Sequence, residues 1–165
     1  MPPTFSPIKG AQGYQQSNPC VLAVAALLGS LKLFKKAGMM QPIRERSVRL
    51  TGALEAGLRR SKWFVEPDEV DAFPSSKQHG QTVGFTIITP PNPSERGAQL
   101  SLLFLPLGSE TMRSVFASLM KDGVVGDERE PDVIRLAPAA LYNTLGDCER
   151  AVEVLEKALE GLAAA

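Results

Sequence analysis

The order of the hydrophobic patterns after residue 82 constrains the fold of this 165-residue chain more than any other feature. Residues 83–89 and 98–105 have the composition of strands, and a Pro-Pro-Asn-Pro turn separates them. A helical repeat follows, then two short strands around 124–125 and 133–137, and a last helix that begins near Thr144. The order ββαββα predicts a small α+β sandwich, in which an antiparallel or mixed sheet carries its helices on one face.

Local signals predict where these helices begin and end. Ser109 is placed to cap the first of them, and Gly123 ends it, because glycine tolerates the left-handed conformation found after a helix. Thr144 and Asp147 form a pair that is typical of a capping box at the start of the last helix. The acidic run 127–130 is interpreted as a turn between the two short strands.

Residues 19–37 have the pattern of a helix that is apolar on nearly every side in its first half. Asn18 is a suitable N-cap, Pro19 suits the first helical position, and Gly38 stops the helix. A helix of this kind is normally buried on every side. We therefore expect it to lie inside a larger domain.

A second helix, over about residues 42–62, has a narrow apolar stripe and is expected at a surface with one buried edge. A buried helix followed by a half-exposed one predicts that residues 1–40 are the end of a large domain, a connector plus its last helix. Residues 41–165 then form a smaller C-terminal domain. Residues 65–82 are interpreted as an exposed loop, and the only histidine, His79, as a solvated rather than a catalytic residue.

The charge and cysteine content argue against several classes of function. Lys+Arg and Asp+Glu both total 18, whereas a nucleic-acid binder needs a basic surface. The apolar runs are too short to cross a bilayer and the N-terminus lacks the pattern of a signal peptide, so we expect a cytoplasmic protein without a membrane partner. Cys20 and Cys148 are predicted to be reduced core thiols, and two cysteines with one histidine predict no metal site.

One charged residue, Arg135, interrupts the otherwise apolar strand segment 133–138. Arginine cannot lose its proton, so a buried guanidinium needs an anion. One interpretation is an ion pair with an internal carboxylate, or a head group that reaches solvent at a strand edge. The other is a fork that binds a substrate carboxylate with two parallel hydrogen bonds. If Arg135 were already neutralised by one of the protein's own carboxylates, or pointed away from the side where Asn18 meets the rest of a complete protein, the assignment to substrate binding would fail.

The tripeptide Ser17-Asn18-Pro19 also has two interpretations. The simpler one is the helix cap described above. The functional one is a side-chain amide at the N-terminus of a buried helix, near the positive end of the helix dipole. Such a position suits a phosphate or a carboxylate.

Five strings along the chain resemble, in the same order, segments of the kynureninases. They are 10–19 (GAQGYQQSNP), 46–52 (RSVRLTG), 95–101 (ERGAQLS), 122–127 (DGVVGD) and 134–143 (IRLAPAALYN). The similarity runs from about residue 2 to residue 159. Several of these strings are long and unusual in combination.

The resemblance implies the C-terminal part of a homodimeric pyridoxal-phosphate enzyme of the aspartate-aminotransferase-like group. Kynureninases hydrolyse kynurenine or 3-hydroxykynurenine to an anthranilate and alanine, in tryptophan catabolism and NAD biosynthesis. By resemblance, residues 1–40 end the cofactor domain, and residues 41–165 are the small domain of a fold-type-I enzyme. Arg135 then binds the substrate carboxylate, and Asn18 contacts the cofactor, pyridoxal 5'-phosphate, or the substrate across the dimer interface.

The family's Schiff-base lysine lies upstream of the resembled region, and none of the eight lysines of this chain has a matching context. We therefore assign no catalytic residue, and we expect a fragment (a truncated gene model, a split gene or a cut domain) that is inactive alone. A hypothesis from another class is a free-standing, non-catalytic domain that binds a partner such as a kynureninase protomer. The strings QQSNP and IRLAP disfavour another member of the fold group, such as a cysteine desulfurase.

Overall fold

The computed structural model describes residues 6, 8–73 and 81–164. The chain divides into two compact units, Met1–Met40 and Gln41–Ala165. The first unit contains one long helix, and the second contains a sheet with its helices. That residues 1–40 end a cofactor domain stays a prediction.

The long helix of the first unit, α1, spans Val21–Lys36 and follows a 3₁₀ turn at Ala11–Tyr14. Its N-cap is Cys20, which has an extended backbone and makes no side-chain capping bond. The predictions that Asn18 caps this helix and that Pro19 opens it are therefore wrong. The helix begins two residues later than predicted, so the amide of Asn18 lies too early in the chain to cap the first turn.

No residue of α1 is buried, whereas the sequence predicts burial on every side. Leu22 is 81% exposed and Cys20 is exposed as well, which corrects the prediction of a core thiol at residue 20. An apolar helix is buried only where another element covers it, and the described residues before α1 provide only the 3₁₀ turn. Among the helices of the described residues, none is long and apolar enough to cross a membrane.

The second helix, α2, spans Met40–Arg60. Its buried residues recur along one side of the helix: Ser47, Leu50, Thr51, Leu54 and Leu58. The spacing of three and four residues is that of a single helical stripe. The prediction of a surface helix with one buried edge is confirmed.

Four strands form one antiparallel sheet in the order β1-β2-β4-β3. The strands are β1 (Gly84–Ile87), β2 (Leu100–Leu105), β3 (Asp127–Arg129) and β4 (Val133–Leu136). Helix α3 (Thr111–Lys121) connects β2 to β3, and helix α4 (Leu145–Ala163) follows β4. The order is ββαββα, so the predicted α+β class is confirmed.

Strand β3 lies where the sequence predicts a turn. Residues 124–125, predicted as a strand, lie outside every strand, and the acidic run contains β3 instead. All three residues of β3 are charged, so intrinsic strand propensity does not explain it. Its conformation depends on pairing with β4, which local sequence patterns do not reveal.

One face of the sheet packs against α2, α3 and α4. Its fully buried side chains belong to one cluster with Leu58 of α2, Leu119 of α3 and Leu155 of α4. Burial of each such side chain contributes about 1.5–3 kcal/mol. Alternate side chains of the same strands point to the opposite side. We call that side the outer face, and its members are Gly84, Thr86, Ser101, Leu103, Leu105, Asp127, Arg129, Val133 and Arg135.

The two edges of the sheet differ. Beside β1, the N–H of Val65 donates to the carbonyl of Phe85 at 2.8 Å, and the N–H of Phe85 donates to the carbonyl of Trp63 at 3.0 Å. Val65 is buried, so the predicted exposed loop 65–82 begins later than residue 65. His79 lies outside the described residues. The other edge is the short, charged strand β3.

The ends of the helices agree with most of the local predictions. Gly38 and Gly123 have φ angles of 90° and 81° directly after α1 and α3, as predicted for glycines that end helices. Thr144 and Asp147 form a complete capping box at the start of α4. Ser109 lies one residue before the N-cap of α3, although its Oγ still accepts the N–H of residue 111 at 3.3 Å.

Candidate functional site

Arg135 lies on the outer face of the central strand β4. In the sheet register it is directly opposite Ser101 of β2 on one side and Asp127 of β3 on the other. Directly opposed residues of antiparallel strands point to the same side of a sheet, so these three side chains share one face. The Arg135 side chain is 31% exposed, so part of it is accessible to solvent, although its Nε atom is buried.

The guanidinium of Arg135 is ion-paired with Asp127. Its Nη2 donates to Oδ2 of that carboxylate. The Nη2 atom of Arg129 lies 2.9 Å from the same oxygen. The sequence leaves open whether Arg135 has an internal partner, and the structure provides one. Taken alone, this pair argues against the assignment of Arg135 to substrate binding.

The pairing leaves part of the guanidinium unsatisfied. The Nε atom of Arg135 is buried and has no hydrogen-bond partner among the described residues. Arg129 and Arg135 share one carboxylate, so the group of three residues has one net positive charge. A buried donor of a charged group without an acceptor is costly. The arrangement therefore favours a further anion beside Arg135.

Gly126 keeps β3 close to β4. A Cβ at this residue would lie 3.1 Å from Cγ2 of Ile134 and 3.3 Å from the carbonyl oxygen of Arg135. A side chain here would press β3 away from β4 and displace Asp127 relative to Arg135. Gly126 therefore helps to position the ion pair.

Two arginines hold the connection between β1 and β2. The buried Arg96 is ion-paired with Glu55 of α2, and Arg44 donates to the carbonyl of Arg96 at 3.0 Å. Burial raises the pKa of Glu55, but the hydrogen bonds from Arg96 and Arg59 outweigh it and leave that pKa below its ordinary value. These contacts give residues 95–101 a structural role, because they fix the start of β2.

Asn18 lies in the first unit, just before α1. Its exposed side chain lines an open polar cleft of about 420 Å³ with Ile8, Gln12, Gln15, Gln16 and Ser17. Gln15 donates from Nε2 to a backbone carbonyl at 2.9 Å, whereas the Asn18 amide takes part in none of the hydrogen bonds among the described residues. Asn18 and Arg135 belong to different units.

A second cleft, of about 490 Å³, is lined by residues of α2, α4 and the loops after α3 and β4. Most of its polar groups are engaged elsewhere: Asn143 accepts a backbone N–H at 2.8 Å, Asp147 belongs to the capping box, and Arg150 donates to a backbone carbonyl at 2.9 Å. The exposed Tyr142 also lines the cleft, and its hydroxyl takes part in none of the side-chain hydrogen bonds among the described residues. Burial raises the pKa of the Cys148 thiol, which disfavours the reactive thiolate. This cleft offers little free chemistry. The described residues also contain no group of three or more His, Cys, Asp or Glu that could hold a metal ion.

Sequence reasoning does not identify Asp127 and Arg129 as members of the site. They belong to the acidic run 127–130, whose composition is typical of a turn, and only the cross-strand register brings them next to Arg135. The available signal is the spacing of two residues between Asp127 and Arg129, which places both on one face of a strand.

The chain is similar to known proteins along almost its whole length. The family model described as Kynureninase C-terminal domain matches residues 72–155. The chain is 50% identical over 155 residues to a kynureninase of Yarrowia lipolytica and 49% identical over 164 residues to one of Eremothecium gossypii. It is 46% identical over 160 residues to a kynureninase of Cryptococcus neoformans.

These alignments cover 94–97% of this chain but only 33–34% of each relative. The chain therefore spans about a third of the length of the curated relatives that it matches. The matched family domain includes β1 to β4 and the whole Arg129–Asp127–Arg135 group.

Proposed function

This chain belongs to the kynureninase family, and we propose that it is the C-terminal part of a complete kynureninase. In this proposal the complete protein hydrolyses L-kynurenine or 3-hydroxykynurenine to an anthranilate and L-alanine, with pyridoxal 5'-phosphate as cofactor, in tryptophan catabolism and NAD biosynthesis. A homodimer in the cytoplasm is part of the same proposal. The observation that carries it is the match of the family domain to residues 72–155, which include Arg135.

Arg135 is the proposed binding group for the substrate carboxylate. The ion pair with Asp127, taken alone, would favour a purely structural arginine. Three observations support a ligand-binding role: the unpaired Nε, the partial exposure of the side chain, and the excess of one positive charge in its group. A guanidinium with free N–H groups on one edge can donate two parallel hydrogen bonds to a second carboxylate.

The residues of this chain fit a supporting role toward pyridoxal phosphate. Asn18 offers a free carboxamide in a polar cleft, which suits hydrogen bonding to the cofactor. When bound, the cofactor supplies the electron-withdrawing ring on which the reaction depends. None of the eight lysines matches the family's Schiff-base lysine, so the 165-residue chain is proposed to be inactive by itself.

The substitution Arg135→Lys, in a complete kynureninase that contains this chain, tests the proposal. Lysine keeps the charge but loses the planar fork. Hydrogen bonds to charged groups contribute about 1.5–3 kcal/mol, so KM for kynurenine should rise roughly 10- to 100-fold. The absorbance of the bound cofactor should not change. A matched control is Arg113→Lys, at exposed pairs with Glu110 and Glu130. An unchanged kynurenine affinity in Arg135→Lys would remove this residue from the substrate site.

The isolated chain provides a second test. After incubation with pyridoxal phosphate and dialysis, we expect no cofactor absorbance band, because the covalent attachment point is proposed to lie elsewhere. A stable yellow complex of the 165-residue chain would contradict this expectation.

The exposure of α1 favours a second candidate function, a non-catalytic domain that binds a kynureninase protomer. Its apolar side chains form a patch of a kind that usually marks an interaction surface. Size-exclusion chromatography of the chain mixed with a purified kynureninase tests this candidate, since it requires a stable complex. Reading the genomic sequence upstream of Met1 separates the two functions, because a continuous frame for a lysine-bearing domain supports the first.

A further inference from the structure

The carboxylate of Asp127 is ion-paired with two arginines, Arg135 and Arg129. A carboxylate that only neutralised Arg135 would not require the second arginine. The Oδ2 atom of Asp127 accepts from Arg135 and lies 2.9 Å from Nη2 of Arg129. We propose that Asp127 is an internal stand-in for the carboxylate of the ligand, and that Arg129 retains Asp127 when the ligand takes over Arg135. This inference rests on the proposed role of Arg135 as the carboxylate-binding residue.

The sheet geometry allows such an exchange without movement of the backbone. Asp127 is directly opposite Arg135 in the register, and Arg129 lies two residues further along β3 on the same outer face. The side chains of Asp127 and Arg129 are 47% and 57% exposed, so both can change rotamer. The backbone of β3 stays paired with β4 throughout.

The exchange can be written in hydrogen bonds. Without ligand, Arg135 donates one N–H to Asp127 and its Nε remains unpaired. With ligand, the proposal requires the Arg135 side chain to change rotamer so that its buried Nε–H becomes accessible. The incoming carboxylate then accepts the Nε–H and a terminal N–H of Arg135 as a parallel pair. Asp127 then keeps its bond to Arg129. The ligand neutralises the one excess positive charge, and no carboxylate is left without a cation.

The affinity for the ligand therefore depends on the difference in free energy between two pairings of Arg135, one with the ligand carboxylate and one with Asp127. Removing the charge of Asp127 abolishes the competing pair and should strengthen carboxylate binding. Removing the charge of Arg129 leaves Arg135 as the only cation of Asp127 and should weaken carboxylate binding. If Asp127 merely held Arg135 in place, its loss would weaken binding instead. The two interpretations thus differ in the sign of the effect.

The test uses the ¹⁵N-labelled 165-residue chain, titrated with sodium acetate while sodium chloride keeps the ionic strength constant. Binding is followed through the backbone amide signals of β4 and the Nε–H signal of Arg135. We expect Asp127→Asn to lower the acetate Kd about 2- to 5-fold and Arg129→Gln to raise it about 2- to 5-fold, the range of partly exposed ion pairs. Glu160→Gln and Lys62→Gln make the same charge changes at another exposed pair and should leave the Kd unchanged.

The substitution Arg135→Lys distinguishes failure of the proposed role of Arg135 from failure of the proposed role of Asp127. If this substitution leaves the acetate Kd unchanged, the proposed role of Arg135 fails and the stand-in role of Asp127 fails with it. If Arg135→Lys weakens acetate binding but Asp127→Asn does not strengthen it, only the stand-in role is overturned. Opposite shifts in Asp127→Asn and Arg129→Gln support it.

Discussion

Arg96, in the connection between β1 and β2, is ion-paired with Glu55 of α2, and the two side chains are only 4% and 13% exposed. It is the most deeply buried ion pair among the described residues. Arg59 also donates to Glu55, from Nε at 3.0 Å. The pair joins the first helix of the second unit to the strand pair that carries the outer face.

Loss of Arg96 should destabilise the second unit. Breaking a buried pair by removing one partner costs about 3–5 kcal/mol, and we expect Arg96→Met to fall near the lower end because Arg59 still compensates Glu55. The free energy of unfolding, measured with urea, checks this value. The double variant Glu55→Leu with Arg96→Met should be more stable than Arg96→Met alone. An equally large loss in the exposed control Arg113→Met would contradict the prediction.

The carboxylate of Glu55 should also make the free energy of unfolding depend on pH. The pKa of Glu55 is lowered from its ordinary value of 4.5 in the folded protein, so the unfolded state takes up a proton first as the pH falls. The stabilisation is present above that ordinary value and is lost as the pH falls through the lowered pKa. Urea midpoints measured between about pH 6 and about pH 3 should decline less steeply in Glu55→Gln. Parallel curves for the two proteins would refute the assignment.

The capping box at the start of α4 should contribute measurably to stability. Thr144→Ala removes the side-chain acceptor for the N–H of Asp147, at 3.2 Å, and should cost about 1 kcal/mol of the free energy of unfolding. Thr144→Ser keeps the hydroxyl and should retain most of that stability. Equal losses in the alanine and serine variants, measured by urea unfolding, would show that the hydroxyl does not act as the cap.

The two cysteines should differ strongly in reactivity. Cys20 is exposed, whereas Cys148 is buried and burial raises the pKa of its thiol. A chromogenic disulfide reagent should therefore modify one thiol quickly and the other only after unfolding. The variants Cys20→Ser and Cys148→Ser identify which thiol gives each phase. A fast phase that survives in Cys20→Ser would contradict the burial of Cys148.

Local sequence signals predict those parts of the fold that depend on neighbouring residues. The capping box of Thr144 and Asp147 and the glycines after α1 and α3 are confirmed, because each is formed within a few residues of the chain. The class and order of the elements are confirmed for a similar reason, since the hydrophobic period changes visibly from two to 3.6 along the chain.

Features that depend on distant partners could not be predicted in the same way. Strand β3 is charged throughout and becomes a strand through its pairing with β4. The partner of Arg135 follows from that register, so the sequence identifies the arginine but not Asp127 or Arg129. The burial expected of α1 depends on a covering element that the described part of the first unit does not contain.

The charges of β3 also bear on how copies of the chain behave toward each other. An edge strand presents unpaired backbone groups that can recruit a second sheet, and short, charged edges resist this recruitment. On the opposite edge, the backbone hydrogen bonds of Val65 and Trp63 already occupy β1. Asp127 and Arg129, which are proposed to act at the ligand site, thus also disfavour pairing of this edge with a second copy of the chain. Neutral substitutions at either one are expected to lower the protein concentration at which light scattering first detects aggregates.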